Sequence, residues 1–338
     1  MPLLRRSSRP TTAAVHPVSA FWEWWAEEGH RTSPHGESRA THELSRLVAA
    51  IHPGLTWHFG PGVVAEHRLT VSAGGVAEVR PSAERWFRAA PPADATWEFR
   101  PSQEATPDAL AHTLEIAGHR LELAATVFSV VPDVEQLRVH VGVHHPAFGE
   151  LPDDVPAQVS FLLLDQLLGE DDVERWLGHV EALTAAPEPA HSGEKLCQVV
   201  AAMAASLDDH WAVAEWEDDD GTPGVACFRP GLRWLDHPTF DRYQVVTAPY
   251  PGRADGLPAD EAALAQLQAL GEELDQLLAG RGVVVAHESQ RGVRTFHAYT
   301  DGEDQNADAD LRDWASTRGA SVDATPDPAW TRVRHFTG

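Results

Sequence analysis

Histidines and carboxylates are the side chains best able to do chemistry in this chain, which carries 19 of the first and 51 of the second. Their densest arrangement is Val139-His140-Val141-Gly142-Val143-His144-His145. In an extended strand His140 and His144 share a face but sit about 13 Å apart, at roughly 3.3 Å per residue, and His145 points the other way. That separation is too long for one metal ion, whose ligands must converge on a single point. Thr41-His42-Glu43-Leu44-Ser45-Arg46 and His287-Glu288-Ser289-Gln290-Arg291 each begin like a zinc-protease helix, and each has arginine where the second histidine belongs. Glu217–Gly221 and Asp301–Asp310 resemble pieces of a calcium loop. The first would place Trp216 and Cys227 at its outer ligand positions; the second lacks the turn glycine and ends on Arg312.

Phosphate and acyl chemistry fare no better. Gly60-Pro61-Gly62-Val63-Val64-Ala65 matches a loose dinucleotide fingerprint, which requires a helix after it. The sequence there predicts a strand instead. Gly193-Glu194-Lys195-Leu196 lacks the glycine frame and the hydroxyl of a phosphate loop, and no Gly-x-Ser-x-Gly occurs. Motifs therefore assign no catalytic, cofactor-binding or metal residue. The hairpin Val283–Glu288 and Val293–Thr300 offers the one surface to single out. With Gln290 and Arg291 as its turn, Val283, Val285, Phe296 and Ala298 share one face. Val284, Ala286, Thr295, His297 and Tyr299 share the other, read as an open sheet face. Thr295, His297 and Tyr299 form the candidate interaction surface.

The elements that must position these residues follow from periodicity and breakers. Phe21, Trp22 and Trp25 open an aromatic helix, and Leu44, Leu47, Val48 and Ile51 give Ser38–Ile51 helical spacing. Strands are expected at Arg68–Ala73, Thr96–Arg100, Leu121–Val130 and Gln136–Val143, and helices at Ser82–Ala90, Val159–Leu168 and Glu170–Leu183. A linker, Ala185–Gly193, precedes a helix over Glu194–Leu207. Strands at Trp211–Trp216 and Val225–Phe228 follow. The order then becomes strand Tyr243–Ala248, helix Asp260–Ala279, the hairpin, helix Ala307–Arg318 and a terminal strand. That β-α-β-β-α-β order is the split-βαβ signature of a ferredoxin-like sandwich.

The predicted fold class is α+β in two domains, the second a ferredoxin-like α/β sandwich with an extra N-terminal β-hairpin. The expected boundaries are a disordered tail (1–18), an N-terminal α+β domain (19–184), a linker and connecting helix (185–209) and the ferredoxin-like domain (210–338). With 338 residues the chain is long enough for two cores. Its net charge of −25 divides into +3 over residues 1–18, −17 over 19–209 and −11 over 210–338. Both large parts repel phosphate backbones, which argues against nucleic acid as partner; the acidity admits a basic protein partner, and solubility alone explains it at least as well. Two cysteines make no disulfide framework, and no apolar run reaches the roughly 20 residues of a membrane span. No signal-peptide core follows Arg5 and Arg6, so the expected compartment is the cytoplasm.

Certain residues carry a family resemblance. Trp211 through the acidic turn, Arg291-Gly292-Val293-Arg294 leading to Tyr299, and Asp327-Pro328-Ala329-Trp330 resemble the bacterial family catalogued as domain of unknown function 695. The likeness covers about residues 210–336. Neighbours of that family include the regulator-of-ribonuclease-activity B proteins, ferredoxin-like inhibitors that bind a ribonuclease. The resemblance implies a fold and a docking role, and no catalytic residues. The N-terminal half is similar to a widespread bacterial domain with no activity attached to it. The shared features are Phe21-Trp22-x-Trp24, Leu69-Thr70-Val71-Ser72-Ala73-x-Gly75, Ala90-Pro91 before Trp97, and Leu164-Asp165-x-x-Leu168-Gly169-Glu170.

The expectation from sequence is a non-catalytic cytoplasmic regulator or adaptor that works by protein–protein binding, without cofactor. The alternative is a hydrolase-type enzyme whose interdomain site joins His140 or His144 to Asp165.

Overall fold

The computed structural model describes residues 15–32, 34, 39–116 and 118–337. Residues 1–14 of the expected tail lie outside these, and helix α1 (Pro17–Glu27) already begins within its last two positions. Ser38, the expected start of helix α2 (Arg39–Ile51), also lies outside the described residues. A small sheet follows, with strand β1 (Thr56–Pro61) antiparallel to β2 (His67–Ser72). Helix α3 (Arg80–Arg88) then leads to β3 (Trp97–Arg100), which runs parallel to β2. Aromatic rings hold this unit together. Phe21 and Trp25, one helical turn apart, are buried against Trp86, Trp97 and Phe99. Buried indole N–H groups generally find an acceptor, though Trp86 Nε1 has none among the described residues. Trp22 donates to the Trp86 carbonyl and Trp97 to that of His30, both at 2.9 Å.

A second core gathers β4 (Thr113–Ile116), β5 (His119–Glu122), β6 (Val127–Asp133) and β7 (Arg138–His144) with helices α4 (Val155–Leu168) and α5 (Glu170–Trp176). Here one expectation is corrected. The helix foreseen over Glu170–Leu183 stops at Trp176, and Leu177–Ala182 is strand β8, parallel to β7. Gly178 and Val180 weaken a helix at this point. Arg138 from β7 also takes up the exposed end of α5, donating to the carbonyls of Glu174 and Arg175 at 2.8 Å. Helix α6 (Gly193–Ala205), capped by Ser192, closes this core.

The last part of the chain builds one antiparallel sheet from β9 (Ala212–Glu217), β10 (Pro223–Phe228), β11 (Arg242–Pro249), β12 (Gly282–Gln290), β13 (Val293–Thr300) and β14 (Ser321–Pro326). The spatial order is β14-β11-β13-β12-β10-β9. Helices α7 (Glu261–Leu278) and α8 (Gln305–Ser316) lie on one face, where Leu274, Leu278, Leu311 and Trp314 pack on Val246, Val284, Phe296 and Ala298. The whole molecule is thus mixed α+β. Among the described residues no helix is long and apolar enough to cross a membrane.

The hairpin departs from its expected facing. Gln290 pairs with Val293, so the turn is Arg291-Gly292, with φ of 53° and 75°. These are the left-handed values of a type I′ turn. The one-residue offset moves Val283 to the Tyr299 side and Val284 to the helix side, as a period of two demands. A bulge between Val284 and Ala286 then adds Val285 to the Tyr299 side. That side is not open. Residues 327–337 fold back over it in short helical turns, Thr331–Val333 and Arg334–Thr337, and bury Trp330, Val333 and Phe336 against Tyr243, Val285 and Tyr299. Trp330 stacks on Tyr299 at 4.3 Å.

Ion pairs join the two halves. Arg85 of α3, with 15% of its side chain exposed, bridges Asp241 and Asp301. Arg88 donates to Thr239 Oγ1, and Arg175 of α5 to Asp236 at 2.6 Å.

Candidate functional site

Two helices can cover about four strands, and this sheet has six. The helix-side face of β10 and β9 therefore lies beyond α7, and a groove of about 940 Å³ runs between α7 and strands β10, β12 and β13. Its floor is fixed by register. Cys227 sits opposite His287 and Val225 opposite Ser289, while Ser289 and His287 face Arg294 and Phe296 across the hairpin. Leu264 and Leu267 of α7 form the wall, and Trp211 closes one end by stacking on His287 at 5.6 Å. Trp211 and Leu264, which line it, are exposed at 46% and 42%, and Val213, opposite Cys227 on β9, at 64%. Gly271 lets α7 approach, since a Cβ there would stand 3.3 Å from Phe296.

At the centre of the floor lies Arg294, only 6% exposed. Its Nε donates to Ser289 Oγ at 2.6 Å and its Nη1 to His287 Nδ1 at 2.8 Å. No carboxylate pairs with it among the described residues. Burial holds its guanidinium below the usual arginine range. Burial, with the Arg294 charge second, pushes His287 down to about 4. These two facts decide the chemistry. A guanidinium can only donate, so Nδ1 of His287 accepts and its proton sits on Nε2. The imidazole is then a poor base toward Cys227, whose thiol burial pushes up. Cysteine, histidine and serine share this floor without forming a nucleophile–base pair. The rim is acidic: Asp260, Glu261, Glu272 and Asp275 line it.

The residues singled out from sequence are placed elsewhere. Tyr299 is fully buried, His297 is 7% exposed and Thr295 is half-buried. They form no open surface because residues 327–337 cover their face. Tyr299 donates to Asp327 at 2.6 Å, and the Tyr243 hydroxyl meets His297 Nδ1. The histidine strand is likewise engaged in structure. His140 Nδ1 accepts the His179 amide at 2.9 Å, His144 Nδ1 donates to the Leu183 carbonyl, and His145 joins the Ala147 amide to the Glu122 carbonyl. Neither His140 nor His144 bonds to Asp165, which burial and then Glu170 push up to about 6.

Arginine takes up both acidic loops: Arg291 bridges Asp218 and Asp220, and Arg281 bridges Asp304 and Asp310. Among the described residues no group of three or more metal-ligating side chains converges. The Gly60–Ala65 segment has β1 before it and β2 after it, as expected of a non-dinucleotide turn. Its amides nevertheless hold an anion. Those of Val63, Val64 and Ala65 donate to the fully buried Glu98 carboxylate at 3.0, 2.9 and 3.2 Å.

The groove was missed in sequence because its parts come from five separated segments. One signal pointed there: the extra hairpin, which gives the sheet more strands than its helices cover. No protein-family model, curated protein or solved structure matches the chain.

Proposed function

We propose that the chain is a non-catalytic regulator or adaptor that holds a basic, amphipathic segment of a partner protein in the groove beside α7. The observation that carries this reading is the groove between α7 and the sheet, walled by Leu264 and Leu267, with Val225, Val284 and Phe296 around Arg294 in its floor, and rimmed by carboxylates. An apolar groove takes the apolar face of a helix or strand, and acids at its edge select lysine and arginine on the occupant. Arg294 adds buried donors that suit a carbonyl of the occupant's backbone. The strand order β14-β11-β13-β12 supports a ferredoxin-like reading of this half, with β9 and β10 as the added hairpin. That reading is in keeping with the resemblance to domain of unknown function 695 and to ribonuclease-binding neighbours, and with a docking role.

The test is titration of the full chain with an amphipathic leucine–lysine peptide, read by fluorescence of the labelled peptide. Saturable binding should weaken with salt, and should weaken about tenfold in Leu264→Gln and Val225→Gln, which remove apolar contact without changing charge. Equal affinity in both variants would show that the peptide follows the overall charge and would sink the proposal.

A further inference from the structure

A second concave site lies between the two halves, and its character is opposite to that of the molecule. In a chain of net charge −25, a cavity of about 480 Å³ is lined by four arginines: Arg138 and Arg175 from one half, Arg233 and Arg334 from the other. His140 and His179 line it too, against a single carboxylate, Glu174. Several arginines elsewhere are neutralised locally, as Arg85, Arg80, Arg242 and Arg281 are by aspartates, whereas Arg294 in the groove is held by Ser289 and His287. Here Arg175 pairs with Asp236 and Arg138 spends Nη1 on the end of α5.

The guanidinium groups of Arg233 and Arg334 have no carboxylate within 4.0 Å among the described residues; Asp236 meets only the Arg233 backbone N–H, at 2.8 Å. Arg233 is the telling one. It is 7% exposed, and Nη1 alone is engaged, donating to the carbonyls of Pro230 and Leu232. A guanidinium withdrawn from water and left beside two others of its sign costs free energy unless an anion completes it. Burial first, then Arg138 and Arg175, lower its pKa to about 10. Asp236 offsets part of that charge from the Arg233 backbone N–H and from Arg175, without forming an ion pair with the Arg233 guanidinium.

We infer that this cleft binds a small, multiply charged oxyanion of phosphate type, held by Arg233 at its base and by Arg334 at its mouth. The volume falls within the roughly 300–1,000 Å³ of small-molecule sites, and planar guanidinium forks suit tetrahedral oxyanions. Because the lining comes from both halves, the ligand also bridges them. The inference stands apart from the groove beside α7, with which the cleft shares no residue.

The experiment is calorimetric titration of the full chain at low salt with pyrophosphate and, in a separate arm, citrate. Expected is saturable one-to-one binding of pyrophosphate, tighter than citrate, with a raised melting temperature. Arg334→Gln should weaken it about tenfold. Arg334 is exposed and makes no ion pair among the described residues, so its variant should fold. Arg233→Gln should weaken binding further, while Leu264→Gln in the groove leaves it unchanged. Citrate binding tighter than pyrophosphate would overturn the phosphate assignment. Absence of saturable binding, or wild-type affinity in both arginine variants, would overturn the site.

Discussion

Glu98 shows that the chemistry of a loop is decided by what already fills it. Three consecutive amides of the Gly60–Ala65 segment converge as they would on a phosphate, and the chain supplies its own carboxylate. Sequence showed the loop and hid the occupant, which comes from β3. His287 makes the same point for protonation. Its neighbour Arg294 is seven residues away in sequence, and only the hairpin brings them together. The folded imidazole titrates near 4 and the unfolded one near 6.5, so above 6.5 neither state carries the proton. Between those values only the unfolded chain takes it up, and stability falls as pH falls through that window. The loss is on the order of 3 kcal/mol. Urea unfolding of wild type and His287→Gln at successive pH values checks this. The variant, which keeps an acceptor for Arg294, should show a flatter slope below pH 6.5, and parallel slopes would refute it.

Elements were legible where periodicity was strong and were lost where a single position decided the outcome. The long helix α7 and the β11-to-β14 order were readable from spacing alone, because amphipathic helices and alternating strands announce their own period. The strand β8 was not, since Leu177–Ala182 continues an acidic helical run and its strand character comes from pairing with β7. The hairpin faces turned on whether Gln290-Arg291 or Arg291-Gly292 forms the turn. Only the second pair puts glycine where φ is 75°. A Cβ at that position is strained in the left-handed region, so Gly292→Ala should cost about 1 kcal/mol. Chemical denaturation measures it, and an unchanged midpoint would mean that the turn tolerates a side chain there.

At the scale of the whole molecule, placement of charge does more than its sum. The net −25 was readable at once, whereas the gathering of Arg138, Arg175, Arg233 and Arg334 was not, because those positions are far apart in sequence. The same holds for the joint between the halves. Arg85 is met by Asp241 and Asp301 from distant parts of the chain. Removing it strands two part-buried carboxylates beside each other, so Arg85→Met should cost about 3 kcal/mol. It should also let the halves melt separately. Differential scanning calorimetry resolves this, and a single transition at the wild-type temperature would argue that the ion pairs contribute little.

The C-terminal cover over Tyr243, Val285 and Tyr299 has a consequence for synthesis. All six strands leave the ribosome before residues 327–337 do, so the nascent sheet spends on the order of one second with an aromatic, water-facing side. That interval is when the growing chain is most prone to stick to its neighbours, and when a chaperone has something to hold.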